Sequence, residues 1–146
     1  MLYPSPKIHS PKWLYTKHLQ TIIPNVYRKV EGVAYQREQI ATWDDDFLDL
    51  DWSIVGSKKV VIISHGFEGS SDRVYARGLT KMLNKNGFDV CAWNFRGCGG
   101  EDNLQIYNYH SGKTDDLDFI VNNIIKKEKY TEYYLVGISM GGNMTL

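Results

Sequence analysis

The hydrophobic positions of this chain change period several times, and each change marks an element. In Phe47-Leu-Asp-Leu-Asp-Trp52 the apolar Leu48, Leu50 and Trp52 alternate with Asp49 and Asp51, the two-residue period of a half-buried strand. The preceding residues 36–42 are expected to pair with it as a hairpin, across the turn Asp44-Asp45-Asp46. Val60-Val-Ile-Ile-Ser64 is instead a continuous run rich in β-branched residues, which suits a parallel strand covered on both faces. From Val74 to Asn86 the spacing becomes helical, with Tyr75, Leu79, Met82 and Leu83 on one face, and Asn86-Gly87 supplies the left-handed conformation that ends a helix. Residues 88–95 read as a second buried strand. Thr114 is the expected cap of the next helix, with Asp115 and Asp116 at its positive end, Leu117, Ile120, Val121, Ile124 and Ile125 on one face, and Lys126, Lys127 and Lys129 at its negative end. Residues 133–138 form a third buried strand that runs straight into Ser139.

Strand, helix, strand, helix, strand predicts an α/β fold: a mostly parallel sheet with an antiparallel hairpin at its N-terminal end, and function at the carboxyl ends of the strands. Residues 1–32 carry prolines, with Tyr3, Trp13, Tyr15 and Tyr27 at no regular spacing, and are expected to be an irregular segment packed on the domain. The domain itself is expected over residues 33–146.

Composition narrows the function classes. The 146 residues hold 17 Lys plus Arg against 17 Asp plus Glu, so no global field draws the chain to nucleic acid or an anionic membrane. Cys91 and Cys98 lack the paired spacing of a zinc site, and Cys91 lies inside a buried strand, as expected of a reduced compartment. Met1 to Lys12 resembles neither a secretory signal nor a membrane span, and no transmembrane segment is expected. A cytoplasmic protein without metal or cofactor is the expectation.

Gly137-Ile138-Ser139-Met140-Gly141 matches G-x-S-x-G, where a sharp turn between strand and helix lifts a nucleophilic serine out of the sheet. Glycines two residues to either side are needed because larger side chains would collide with the strand and the helix. His65-Gly66-Phe67-Glu68-Gly69-Ser70 follows the first buried strand, where such a hydrolase places its other oxyanion donor. The backbone N–H groups of Phe67 and Met140 are therefore the candidate oxyanion hole. His65, Gly66, Gly137 and Gly141 are assigned loop-structuring roles, with the catalytic base as the alternative for His65. Asn94-Phe-Arg-Gly-Cys-Gly-Gly100 lacks the lysine and spacing of a phosphate loop, so a structural loop is expected, with Arg96 pairing to a buried carboxylate. His110 is expected to be a loop residue, and the three aspartates from Asp44 lack the ligand pattern of a calcium loop and read as a solvated turn.

These motifs together resemble the YheT-like α/β-hydrolases, a family of esterases and acylglycerol lipases. The resembling segments are HLQTI from His18, HGFEGSS from His65, NFRGCGGEDN from Asn94, YHSGKTDDL from Tyr109 and YLVGISMGGN from Tyr134, in order along the chain. The resemblance implies Ser139 as nucleophile, an oxyanion hole from Phe67 and Met140, and small-molecule carboxylic esters or lipid-like molecules as substrates. In that family the acid and the histidine of the triad follow the serine. The chain is therefore expected to be the N-terminal half of such a domain, truncated after the nucleophile elbow and inactive alone, with a separately encoded C-terminal half as one source of the rest. The nucleophile strand would then keep an uncovered edge. Two other classes stand beside this one: a non-catalytic remnant acting as a binding or interaction module, and a flavodoxin-like nucleotide binder.

Overall fold

The apolar run at Val60 lies in an interior strand of the sheet, with both of its faces covered. A computed structural model describes residues 11–106 and 109–146. Its elements are α1 (Lys17–Tyr27), β1 (Gln36–Ala41), β2 (Phe47–Ser53), β3 (Lys59–Ser64), α2 (Val74–Lys85), β4 (Asp89–Asn94), α3 (Asp115–Lys126), β5 (Glu132–Gly137) and α4 (Met140–Met144). The strands form one sheet in the order β1-β2-β4-β3-β5. Val60 and Ile62 of β3 join Trp93 and Phe95 in a core closed by Leu117, Ile120 and Ile124 of α3. Val61 and Ile63 point to the other face, where Leu79 and Leu83 of α2 pack over them. Full burial of each such side chain contributes about 1.5–3 kcal/mol, so the two covered faces together hold the middle of the sheet.

The parallel character expected of the sheet resides in β4, β3 and β5. The hairpin of β1 and β2 is antiparallel, as expected, and β2 also pairs with β4 antiparallel, so the described sheet is mixed. A direct turn joins β1 to β2, and only strands separated by a helical crossover can run parallel.

Strand β2 departs from the half-buried reading: Asp49 and Asp51 are buried along with Leu48 and Leu50. Asp51 accepts hydrogen bonds from Arg37 Nε (2.8 Å) and Nη2 (2.7 Å), Ser71 Oγ (2.5 Å) and Asn94 Nδ2 (2.8 Å). Burial alone would raise its pKa, but the bonds from Arg37, Ser71 and Asn94 outweigh that and hold the carboxyl below the usual range. A strand face that alternates with carboxylates is thus as buried as the apolar one, because each carboxylate meets its donors.

The acidic turn is a second correction. Asp46 is 3% exposed and Asp44 partly buried, and both accept from Arg96 Nη1 at 2.8 Å, while Asp45 is exposed as expected. Asp116 of α3 completes the clamp, accepting from Arg96 Nε (3.0 Å) and Nη2 (2.8 Å). The expected pairing of Arg96 with a buried carboxylate holds, and it ties the β1–β2 turn, the loop after β4 and α3 to one guanidinium. Arg96→Ala would leave Asp46 and Asp116 buried without a cation, so a loss of about 3–5 kcal/mol is expected in denaturant unfolding monitored by circular dichroism.

Two helix readings also change. Thr114 makes no side-chain capping bond and has helical angles itself, and its carbonyl accepts the Asp118 N–H at 2.9 Å. The α3 face is Leu117, Ile120 and Ile124 with Val121 partly buried beside them, while Ile125 is 44% exposed. Residues 1–32 are not irregular throughout: α1 is an 11-residue helix capped by Thr16, whose hydroxyl accepts from Leu19 N–H at 3.2 Å. Pro24 inside it is the residue that makes the sequence read as broken. No residue of this helix is buried, and Ile22, Val26 and Tyr27 are exposed. Residues 1–10 of that segment lie outside the described residues. Among the described residues no helix is long and apolar enough to cross a membrane.

Strand β5 ends the sheet on its side, with Tyr134 41% and Leu135 44% exposed. The uncovered edge expected of the nucleophile strand is present, and it offers unpaired backbone groups to another strand.

Candidate active site

Ser139 stands where β5 turns into α4. Its φ of 55° and ψ of −116° are unfavourable for a residue with a Cβ, and the angles bring the chain from strand to helix within one residue. The turn is held by Ile138 N–H to Ser64 O at 3.0 Å and Gly141 N–H to Ile138 O at 3.0 Å. A Cβ on Gly137 would fall on the backbone of Gly141 and Gly142, and one on Gly141 would fall on the carbonyl oxygens of Ser64 and His65. Both glycines are thus fixed by close backbone approach. Ser139 is exposed, and its hydroxyl makes no hydrogen bond to a described residue.

The His65-to-Gly69 loop leaves the end of β3 beside this elbow. A Cβ on Gly66 would sit 3.4 Å from the Ser139 Cβ, so the loop backbone passes directly against the serine. Gly66 N–H donates to Tyr75 Oη at 3.2 Å, and Glu68 N–H donates to Tyr109 Oη at 3.0 Å. Between them the Phe67 N–H finds no partner among the described residues, and neither does the Met140 N–H. Met140 opens α4, where the first N–H groups have no intrahelical partner, and Phe67 is 68% exposed, so both amides flanking the exposed serine are free to donate to a ligand oxygen.

His65 is 1% exposed, with its ring 4.0 Å from that of Phe95. Its Nε2 accepts the Phe95 N–H at 3.1 Å, which fixes the tautomer: Nδ1 carries the proton and donates to Gly66 O at 2.7 Å. Burial holds the imidazole below the usual histidine range. Neither nitrogen has a lone pair to spare, and the ring ties the end of β3 to the end of β4.

Comparison with known proteins bears on this geometry. A family model, Hydrolase_4, described as serine aminopeptidase, S33, matches residues 56–146. The chain belongs to this α/β-hydrolase family. It is 34% identical over 131 residues to a candidate esterase, YheT, of Escherichia coli (strain K12), covering 87% of this chain and 38% of that protein. It is 30% identical over 123 residues to a monoacylglycerol lipase of Saccharomyces cerevisiae, covering 84% of this chain and 26% of the lipase. Among solved structures it resembles the Pyrococcus furiosus esterase Pf2001, with a TM-score of 0.63 and 29% identity, over 77% of this chain and 44% of that one. The chain spans less than half the length of these relatives.

Within this α/β-hydrolase frame the other histidines lie apart from the elbow's bonding. His110 accepts from Gly112 N–H at 3.2 Å in an exposed loop, as expected, and His18 is exposed on α1. His9 lies outside the described residues. Burial raises the thiol pKa of both Cys91 and Cys98, so neither is poised as a nucleophile. Tyr75, Tyr109 and Asn143, which contact the loop and the elbow, were not singled out by sequence. Tyr109 and Asn143 do fall inside the YHSG and ISMGGN segments, which is the one signal that could have found them.

Proposed function

We propose that the chain carries the nucleophile and oxyanion hole of a serine hydrolase acting on carboxylic esters, of the short-chain carboxylesterase or acylglycerol lipase type. The observation that carries this reading is the exposed Ser139 at a left-handed elbow, flanked by the unspent N–H groups of Phe67 and Met140. Ser139 Oγ attacks the ester carbonyl as a base removes its proton. The carbonyl oxygen becomes an oxyanion held by the two amides, and the alcohol leaves with the proton. Water then attacks the acyl-enzyme and releases the acid. His65 positions the loop, because its nitrogens are committed to Phe95 and Gly66. The base and its orienting acid would come from polypeptide equivalent to the part of the relatives beyond this match, a separately encoded C-terminal half being one source. Small-molecule or lipid-like esters are the substrate class; a cytoplasmic setting is supported by the two free thiols.

The direct test is covalent labelling by a fluorophosphonate, with the modified residue located by mass spectrometry. For assay, the chain is continued by the C-terminal part of the E. coli relative, giving a chimera with the full family length. In that chimera His65→Ala is expected to lower kcat by on the order of 10² through the disturbed oxyanion loop, while Ser139 still labels. Complete loss of labelling with the fold intact would make His65 the base.

A second reading, a non-catalytic interaction module, draws on the exposed β5 edge with Tyr134 and Leu135. Labelling at Ser139 separates the two.

A further inference from the structure

The two candidate oxyanion donors sit on different segments: Phe67 follows β3, and Met140 opens α4. An oxyanion hole works only if both N–H groups point at one oxygen, 2.7–3.1 Å from each, so something must fix the distance between the segments. Residues 109–112 touch both. Tyr109 Oη accepts the Glu68 N–H at 3.0 Å, one residue after Phe67. Two residues further on, Ser111 O accepts from Asn143 Nδ2 at 2.8 Å, in the helix that begins with Met140. The Tyr109 ring also lies against Phe95 and Phe67, with centroids 5.1 Å and 6.1 Å away. On the other side of Phe67, Tyr75 Oη takes the Gly66 N–H. Glu68 has a φ of 49°, a conformation that costs free energy and that the tyrosine contact helps to hold.

We propose that residues 109–112 form a strap that sets the spacing of the oxyanion hole, with Tyr109 and Asn143 as its two positioning residues. The strap acts through the N–H groups of Phe67 and Met140 and touches no reacting atom. It gives the Y-H-S-G segment a role in the same site, and it rests on the reading of Ser139 as nucleophile. Because both anchors belong to one strap, cutting either should release it, and cutting both should do little more.

The test uses Tyr109→Phe, which keeps the ring contacts, Asn143→Ala, which is exposed, and the double variant, all in the chimera. Rates of p-nitrophenyl ester hydrolysis are divided by the number of sites that a fluorophosphonate titrates, so a loss of folded protein does not count. Each single variant is expected to lower kcat about tenfold with KM within about twofold, and the double variant to match the singles. Tyr27→Phe, exposed on α1, serves as control and should leave kcat unchanged. In the 146-residue chain itself, Tyr109→Phe should speed hydrogen exchange at the Glu68 amide and leave the β3 amides as they were. Parental kcat in both single variants overturns the strap while Ser139 stands. Multiplicative losses in the double variant overturn the shared strap in favour of two separate contacts. Absence of any turnover that depends on Ser139 overturns both this inference and the function it rests on.

Discussion

Ser139→Ala in the chimera is expected to abolish both ester hydrolysis and fluorophosphonate labelling, with a loss of kcat on the order of 10⁶, the scale seen when a hydrolase of this type loses its serine. The size follows from the chemistry. Without Oγ there is no acyl-enzyme, and what remains is water attacking a carbonyl that the oxyanion hole still polarises. The fold should not suffer, because alanine meets the same strain at a φ of 55° that serine already bears, and the flanking glycines supply the close approaches. Circular dichroism would establish that the variant is folded. Labelling that persists in Ser139→Ala would move the nucleophile elsewhere.

The 146-residue chain on its own is expected to hydrolyse p-nitrophenyl esters far more slowly than the chimera, and at most at the level of about 10³–10⁴ over water that a serine site without its base retains. A serine hydroxyl is a weak nucleophile until a base takes its proton. Ser139 Oγ has no hydrogen-bond partner among the described residues. His65, the nearest histidine in sequence to the oxyanion loop, is neutral and doubly engaged. His110 and His18 are exposed and bonded, if at all, within their own segments. The exposed apolar residues of β5 also favour self-association of the isolated chain, so monomer must be isolated by size exclusion before assay. Turnover by the monomer equal to that of the chimera would refute this account and direct the search for a base to His65, His110 and His18, with His9 to follow.

The fold was largely legible in the sequence. The run at Val60 and the strand of residues 88–95 could only be covered on both faces, and the helical spacing of Leu117, Ile120 and Ile124 matched one side of the sheet. The elbow was legible too, since G-x-S-x-G states a steric condition within five residues: a Cβ on Gly137 would meet Gly141 and Gly142, neighbours in the chain. Less was legible where polar residues were concerned. Asp49 and Asp51 read as a wet strand face and the three aspartates from Asp44 as a solvated turn, yet Asp46, Asp49 and Asp51 are buried. Helix α1 was hidden by Pro24, although Thr16 and its bond to Leu19 set its start.

The sequence by itself therefore determined the order of elements, the covered faces of the central strands and the local geometry around Ser139. Tertiary structure alone decided that Arg96 gathers Asp44, Asp46 and Asp116, that His65 spends both nitrogens on Gly66 and Phe95, that Tyr109 takes the Glu68 N–H and that Asn143 bonds Ser111 O. The division has a physical reason. Hydrophobic period and glycine spacing record interactions of a residue with its own element and with an unspecified apolar interior. A buried carboxylate or a committed imidazole is set by one particular partner, and here most of those partners lie 20 to 52 residues away along the chain, where no local pattern records them.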